Sequence, residues 1–167
     1  MREVPIAEAL KLKYPEWTVL VTSRDAEGAP DIMPAGWVML CNQTPPMVAV
    51  AVGLGRYTHV CLEDTGEFAL SWPGVGLEKL IEQTGSVSGR DVNKFEQFGL
   101  AEIEGSQLNA PLVDGCAFAV ECVVVSQLEL EDHSIFVGEI VAAHVGDTPV
   151  AKLENFNGTY AVAVPKA

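Results

Sequence analysis

The chain has 167 residues, of which 49% are hydrophobic and 20% are charged, a balance typical of a folded domain rather than a disordered segment. Ten lysines and arginines are set against 23 aspartates and glutamates, so the formal net charge is −13. Because nucleic acids and anionic lipids repel an acidic surface, we expect no nucleic-acid partner and no membrane partner.

The N-terminal sequence, MREVPIAEALKLKYPE, lacks the apolar stretch and cleavage site of a signal peptide. No apolar run reaches the length of about 18 residues that a membrane span requires. The four cysteines show neither C-x-x-C spacing nor a neighbouring histidine in ligand register; they are Cys41, Cys61, Cys116 and Cys122. We therefore expect free thiols and a cytoplasmic location, with a disulfide or a zinc site as the alternative.

The first half of the chain predicts mostly strands. After a short helical segment, AEALKLK, strands over 17–24 and 29–40 form a hairpin around the turn at residues 25–28. The segment 45–53 is almost continuously apolar, as in a strand that is buried on both faces. A helix over 56–66 ends at a glycine and is followed by a strand over 66–72.

The second half begins with two short helices. The spacing of apolar residues predicts one helix over 76–85 and another over 91–99, with Asp91 as the N-cap of the latter. A long hairpin over 116–130 and 133–146 turns at residues 131–132, and a last strand covers 158–165. We therefore predict one domain over residues 1–167, mainly antiparallel β with a few short helices, arranged as a closed or partly closed barrel.

Two stretches of this acidic chain combine glycines with cations. In AVGLGRYTH, residues 51–59, a strand runs through Gly53 and Gly55 into a helix whose first turn carries Arg56 and Thr58. Helix N-termini present unpaired N–H groups and a positive dipole end, so this pattern indicates a phosphate site. The alternative is a glycine turn before a capped helix with a surface arginine.

The second such stretch is GSVSGRDVNKF, residues 85–95. It places Ser86, Ser88, Gly89 and Arg90 before the predicted helix and Lys94 within its first turn. These residues suit either an anion site or an ordinary solvated loop. Because cations are scarce in the chain, two such stretches together favour an anion site.

Two further segments are candidates for ligand contact. In MPAGW, Ala35 and Gly36 lack bulk, so a planar ligand can approach the backbone there, and Trp37 can pack beside its ring or lie in the core instead. His133 follows Asp132 at a predicted hairpin turn, where an isolated histidine is more often a surface residue than a catalytic one. No Ser-His-Asp spacing, metal-ligand cluster, Walker loop or GxGxxG pattern occurs, which argues against classical hydrolases, metalloenzymes and Rossmann folds.

Five stretches, taken in order, resemble the flavin reductase-like family and particularly its flavoredoxin-type branch. They lie within residues 17–145 and read VTSRDAEGAPDIMPAGW, PPMVAVAVGLGRYTH, TGEFALS, TGSVSGRDVNKFEQFGL and EDHSIFVGEIV, of which SGRDVNKF and DHSIFVGEI are the most distinctive. The resemblance implies an FMN-binding split β-barrel with Greek-key topology. It also implies a homodimer with the flavin near the subunit interface.

The resemblance implies ten site residues by position. The residues that line the isoalloxazine ring are Ala35, Gly36 and Trp37. Those that face the FMN phosphate are Arg56, Tyr57 and Thr58. Ser88 and Lys94 add contacts, His133 lies near the flavin face as the catalytic candidate, and Tyr160 is an edge contact.

The implied function is that of an FMN-dependent oxidoreductase. It would pass electrons from NAD(P)H or a protein donor through FMN to an acceptor. Many flavin reductases have a Ser/Thr/Asn-rich segment where this chain has the apolar PAGWVMLC, which favours a tightly held FMN over an exchangeable one. The alternatives are an FMN electron-transfer protein with a redox protein partner and no small-molecule substrate, and a ligand-binding barrel without redox activity.

Overall fold

The computed structural model describes residues 1–147 and 149–162, in which strands outweigh helices, as predicted. The elements in chain order are α1 (Ile6–Leu10), β1 (Glu16–Trp17), β2 (Val19–Arg24), β3 (Pro30–Ala35), β4 (Val38–Gln43), β5 (Pro46–Gly53), α2 (Tyr57–Thr65), β6 (Glu67–Pro73), α3 (Glu78–Ser86), α4 (Lys94–Phe98), β7 (Cys116–Glu129), β8 (His133–Val145), β9 (Leu153–Asn155) and β10 (Tyr160–Val162).

Seven strands form one antiparallel sheet in the order β3-β2-β6-β7-β8-β5-β4. Its two edge strands, β3 and β4, are consecutive in the chain and are joined only by Gly36 and Trp37. Because the three peptide links from Ala35 to Val38 span at most about 11 Å, the sheet must curl until its two edges approach each other. The edges meet without pairing, so the predicted split barrel is confirmed.

The strand predicted over 29–40 is therefore two strands, because the chain passes from one sheet edge to the other at residues 36–37. The sequence also did not indicate β9, which pairs with β1 and β10 in a separate three-stranded sheet. The last predicted strand corresponds to β10, and residues 163–165 of that prediction lie outside the described residues.

The core occupies both faces of the sheet. Inward-facing side chains of the barrel form one cluster, which includes Val19, Val50 and Phe68. On the other face of β2 and β3, Leu20 and Ile32 pack against apolar residues of α3 and α4. This second cluster holds both helices against β3, and so places the loop between them beside the Gly36–Trp37 link.

The four cysteines are free, as predicted. Burial raises the pKa of the Cys61, Cys116 and Cys122 thiols to about 12, so these three are unreactive at neutral pH. Cys41 is exposed on β4. Within the described ranges, none of the helices combines the length and the apolar character needed to cross a membrane.

Candidate functional site

A cavity of about 740 Å³ lies beside the link between the two sheet edges. Its wall combines the end of β3, the link, the end of β5, the start of α2, the loop before α4 and the start of β8. Nine of the ten predicted site residues line it, namely Ala35, Gly36, Trp37, Arg56, Tyr57, Thr58, Ser88, Lys94 and His133. Residues that are distant in the sequence therefore share one surface.

The tenth predicted residue, Tyr160, does not line this cavity. It lies on β10 and packs against the cluster that contains Leu20 and Ile32. Burial, together with the nearby Glu82 carboxylate, raises the pKa of its phenol. The predicted edge contact of Tyr160 therefore has no counterpart in the wall of this cavity.

The start of α2 presents unused donors to the cavity. Arg56 is the N-cap of the helix, and its exposed guanidinium makes no hydrogen bond or ion pair with any other described residue. The backbone N–H groups of Tyr57 and Thr58 likewise find no acceptor in the described part of the chain. A free guanidinium beside two free N–H groups, at the N-terminus of a nine-residue helix, is suited to bind a phosphate group.

Lys94 is a buried ion-pair partner rather than a free cation. Its Nζ lies 3.2 Å from Oδ1 of Asp31 and donates to the Ile32 carbonyl at 2.6 Å. The lysine is 4% exposed and the aspartate 1%. Lys94 therefore lines the cavity with its charge compensated by Asp31, and its predicted contact with the flavin stays a prediction.

Asp31 also accepts a hydrogen bond from the Thr58 hydroxyl, at 2.5 Å. This leaves the backbone N–H of Thr58, rather than its side chain, as the donor available to a ligand. Nothing in the sequence marked Asp31, because an aspartate in a strand becomes informative only when its distant partners are known. Its carboxylate joins β3, α2 and α4 at one buried point.

The helix α4 begins three residues later than predicted. Asn93, not Asp91, is its N-cap, and the Asn93 side chain accepts from the N–H groups of Phe95 and Glu96 at 3.0 and 3.2 Å. The N–H groups of Asp91 and Val92 instead donate to the Ser88 carbonyl and close a turn before the helix. Since α4 has five residues and is already capped, its start offers no anion site.

Arg90 does not line the cavity, and although it is exposed it makes specific contacts with the start of α2. Its Nη1 donates to the Gly55 carbonyl at 2.7 Å, and its guanidinium lies 5.6 Å from the centre of the Tyr57 ring. The Tyr57 hydroxyl in turn donates to Asp25 at 2.7 Å, and this hydrogen bond raises the pKa of Tyr57 well above its usual range. The two glycine-and-cation stretches of the sequence are thus in direct contact.

Trp37 lies at the cavity, not in the core. Its side chain is 56% exposed, and its ring centre lies 4.9 Å from that of His133. The Nδ1 atom of His133 is 2.7 Å from Oδ1 of Asp132, while Nε2 lies beside Gly53. When Nδ1 donates to Asp132, Nε2 is the ring nitrogen left to accept or release a proton.

Gly36 makes room for a carboxylate as well as for a ligand. A Cβ atom at this position would lie 2.7 Å from Oε1 of Glu16, which also lines the cavity. Glu16 forms an ion pair with Lys13 and accepts a hydrogen bond from Asn155 at 3.3 Å. Sequence reasoning missed Glu16 because it comes from β1, which belongs to the smaller sheet.

The shape and chemistry of the cavity suit an elongated ligand with a planar ring and an anionic end. Its volume falls within the range of about 300–1,000 Å³ that is common for cofactor sites. Small residues and an exposed indole flank one part of the wall, and free donors flank another. Among residues 1–147 and 149–162, no group of three histidine, cysteine or carboxylate side chains is placed to hold a metal ion.

Solved structures with the same fold include two that match the whole chain. Flavoredoxin from Methanosarcina acetivorans is 27% identical, with a TM-score of 0.87 over 100% of this chain and 94% of that one. The FMN-binding protein from Thermus thermophilus, solved with bound p-hydroxybenzaldehyde, is 25% identical, with a TM-score of 0.88 over 100% and 98% of the two chains.

Sequence relatives include two reductases. A ferric-chelate reductase (NAD(P)H) from Archaeoglobus fulgidus is 32% identical over 112 residues, which are 66% of this chain and 65% of that protein. An NADH-dependent FAD reductase from Streptomyces globisporus is 29% identical over 131 residues, or 78% and 70% of the two proteins. The model of the flavin reductase like domain matches residues 12–163. The chain therefore belongs to the flavin reductase-like family.

Proposed function

We propose that the chain is an FMN-dependent oxidoreductase of the flavoredoxin type, which binds FMN in the cavity beside the Gly36–Trp37 link. It would act as one flavin-binding domain over residues 1–167. The observation that carries the proposal is the arrangement of the cavity wall, where an exposed Trp37 and the free donors at the start of α2 share one surface. Structural relatives that are named as flavoredoxin and FMN-binding protein support the choice of FMN.

The proposed roles follow from what each side of the wall offers. The backbone of Ala35 and Gly36 and the ring of Trp37 would bind the planar isoalloxazine. Arg56 and the N–H groups of Tyr57 and Thr58 would bind the phosphate, with Ser88 adding a contact from the neighbouring loop. FMN, when bound, supplies the electron-carrying ring, and the protein supplies binding, orientation and electrostatics.

His133 would hold or release a proton at the cavity. Its Nδ1 atom is oriented by Asp132, and its other nitrogen lies toward Gly53 and the cavity wall. The histidine is partly exposed, so a reductant or an acceptor can approach it from solvent. This is the catalytic role that we assign to it.

We also propose that two copies associate through the outer face of β4, β5, β8 and β7. Apolar residues stand opposite one another across these strands, with Met39 beside Ala49 and Val137, and Ile135 beside Leu128. Met39 and Leu128 are each 58% exposed, so this face presents apolar side chains from neighbouring strands to solvent. Because Trp37 adjoins this face, a dimer would bring the flavin close to the interface. Analytical ultracentrifugation should give the mass of two chains, and a single-chain mass would contradict the dimer.

Anaerobic titration tests the proposed activity. Protein loaded with FMN should show a flavin absorption band that NADH, NADPH or reduced ferredoxin bleaches, and an acceptor should restore it. A protein that takes up no FMN would overturn the proposal. Negligible oxidation of NAD(P)H, together with reduction by ferredoxin, would identify an electron carrier between proteins, for which the net charge of −13 suits a basic partner.

The free thiols, including exposed Cys41, suit the reducing cytoplasm that we propose as its location.

Replacing Arg56 with alanine is expected to weaken FMN binding by about 10- to 100-fold, because a charge-assisted hydrogen bond to the phosphate is lost. Riboflavin, which has no phosphate, should bind the variant and the wild type equally well. Fluorescence titration with both flavins measures the two effects. Lys79→Ala, which removes an exposed cation from α3, is the matched control. An equal loss of affinity for both flavins would contradict the assignment of Arg56 to the phosphate.

A further inference from the structure

Arg90 lies outside the cavity wall, yet its side chain reaches the turn that precedes α2. The guanidinium donates to the Gly55 carbonyl, 35 positions away in the sequence, and lies over the ring of Tyr57. Although the chain is acidic, Arg90 forms no ion pair with a carboxylate of the described residues. The cation is therefore directed at a carbonyl and an aromatic ring beside the phosphate end of the proposed site.

The loop that carries Arg90 is fixed on both sides of it. The Ser88 hydroxyl accepts a hydrogen bond from the Arg90 N–H at 3.2 Å, and the Ser88 carbonyl closes the turn that follows. Gly89 packs so closely that a Cβ atom there would lie 2.6 Å from Cδ1 of Tyr57 and would also meet the Asp31 carboxylate. Only glycine allows the loop to lie this near to α2.

Tyr57 is held at both ends of its side chain. Arg90 covers the ring, and the hydroxyl donates to Asp25 at 2.7 Å. Tyr57 is also the first residue of α2, and its backbone N–H is one of the two free donors at the cavity. Arg90 therefore contacts Gly55 and Tyr57, which lie on either side of Arg56 in the turn that leads into α2.

We propose that Arg90 is a positioning residue for the phosphate end of the site. By holding the Gly55 carbonyl and the Tyr57 ring, it fixes the turn so that the N–H groups of α2 and the side chain of Arg56 converge on one anion. It does not line the cavity, so it acts through the turn. The inference rests on the proposed function, since the anion is the phosphate of FMN.

Titration of Arg90→Ala with FMN and with riboflavin tests the proposal. The expected result is about tenfold weaker binding of FMN and a change of less than about twofold for riboflavin, because only the phosphate donors lose their alignment. Lys79→Ala removes the same charge from an exposed position of α3 and should leave both affinities unchanged. In the Arg56→Ala background, the effect of Arg90→Ala should fall below about threefold, since one of the groups it positions is already missing.

Three outcomes would overturn the inference. The first is an FMN affinity of Arg90→Ala equal to that of Lys79→Ala. The second is an equal loss of affinity for FMN and for riboflavin in Arg90→Ala. The third is full additivity of the effects of Arg90→Ala and Arg56→Ala on FMN binding. If Arg90→Ala does not fold, Arg90→Lys, which retains a donor and a cation, should bind FMN within about threefold of the wild type. Equal losses of both flavins in that variant would also overturn it. A wild type that binds neither flavin would instead overturn the proposed function.

Discussion

Replacing Lys94 with methionine is expected to lower the free energy of unfolding by about 3–5 kcal/mol, because it leaves the Asp31 carboxylate buried without its counter-charge. The two side chains are 4% and 1% exposed, so water cannot take the place of the ammonium group. The Ile32 carbonyl also loses the donor that lies 2.6 Å away. Urea unfolding followed by circular dichroism measures the loss.

A paired variant separates the buried charge from the packing of the lysine chain. Neutralising both partners in Asp31→Asn/Lys94→Met should recover a large part of the lost stability, because no unpaired charge then remains in the interior. The exposed Lys79→Met should unfold like the wild type, within about 0.5 kcal/mol. A Lys94→Met protein of wild-type stability would show that the Asp31–Lys94 pair is not buried as described.

Replacing Glu121 with glutamine is expected to lower the free energy of unfolding by about 3 kcal/mol, because several charge-assisted hydrogen bonds to a fully buried carboxylate are then lost. Glu121 accepts from the N–H groups of Ser106, Gln107 and Leu108 at 2.6–3.0 Å and from His144 at 2.6 Å. These bonds fasten the long irregular segment between α4 and β7 to the sheet. A glutamine would direct its NH₂ group at some of these donors.

The stability contributed by Glu121 should depend on pH. Burial alone would raise the pKa of this carboxyl, but the hydrogen bonds from His144 and the three N–H groups outweigh it and lower the pKa to about 2. A carboxyl whose pKa is lower in the folded than in the unfolded state stabilises the fold above its unfolded pKa, and it loses that contribution as the pH falls. The wild type should therefore lose stability between about pH 4.5 and pH 2, and Glu121→Gln should lack this part of the loss.

Glu104→Gln is the control for this experiment, since Glu104 lies in the same segment and is exposed. The stability of this variant should match that of the wild type both at neutral pH and in the acid range. Parallel acid profiles of the wild type and Glu121→Gln would contradict the role assigned to the buried carboxylate.

The β-rich fold was predictable because its signals are local. The hairpin turn at residues 25–28 and the one at 131–132 are marked by polar residues between apolar runs, and Gly66 ends α2 in the left-handed conformation that glycine favours. The break at residues 36–37 was not predictable, because the residues on both sides favour strands. Only the sheet order, which is a long-range property, shows that the chain must cross there from one edge to the other.

The segments that line the cavity were predictable from the sequence, but the charge pairing among them was not. Glycines beside cations correctly indicated which segments meet at the cavity. Nothing in the sequence indicated that Lys94 is neutralised by Asp31, 63 positions earlier, or that Arg90 reaches Gly55. Those pairings depend on how α2 and α4 pack on β3, so the number of free cations at the site became known only from the fold.

Titration of the purified chain with FMN tests the central claim most directly. Isothermal titration calorimetry should give one FMN per chain, and binding should quench flavin or tryptophan fluorescence, because Trp37 lies in the cavity wall. The Arg56→Ala variant should bind at the same stoichiometry with weaker affinity. Absence of saturable FMN binding to the wild type would contradict the account.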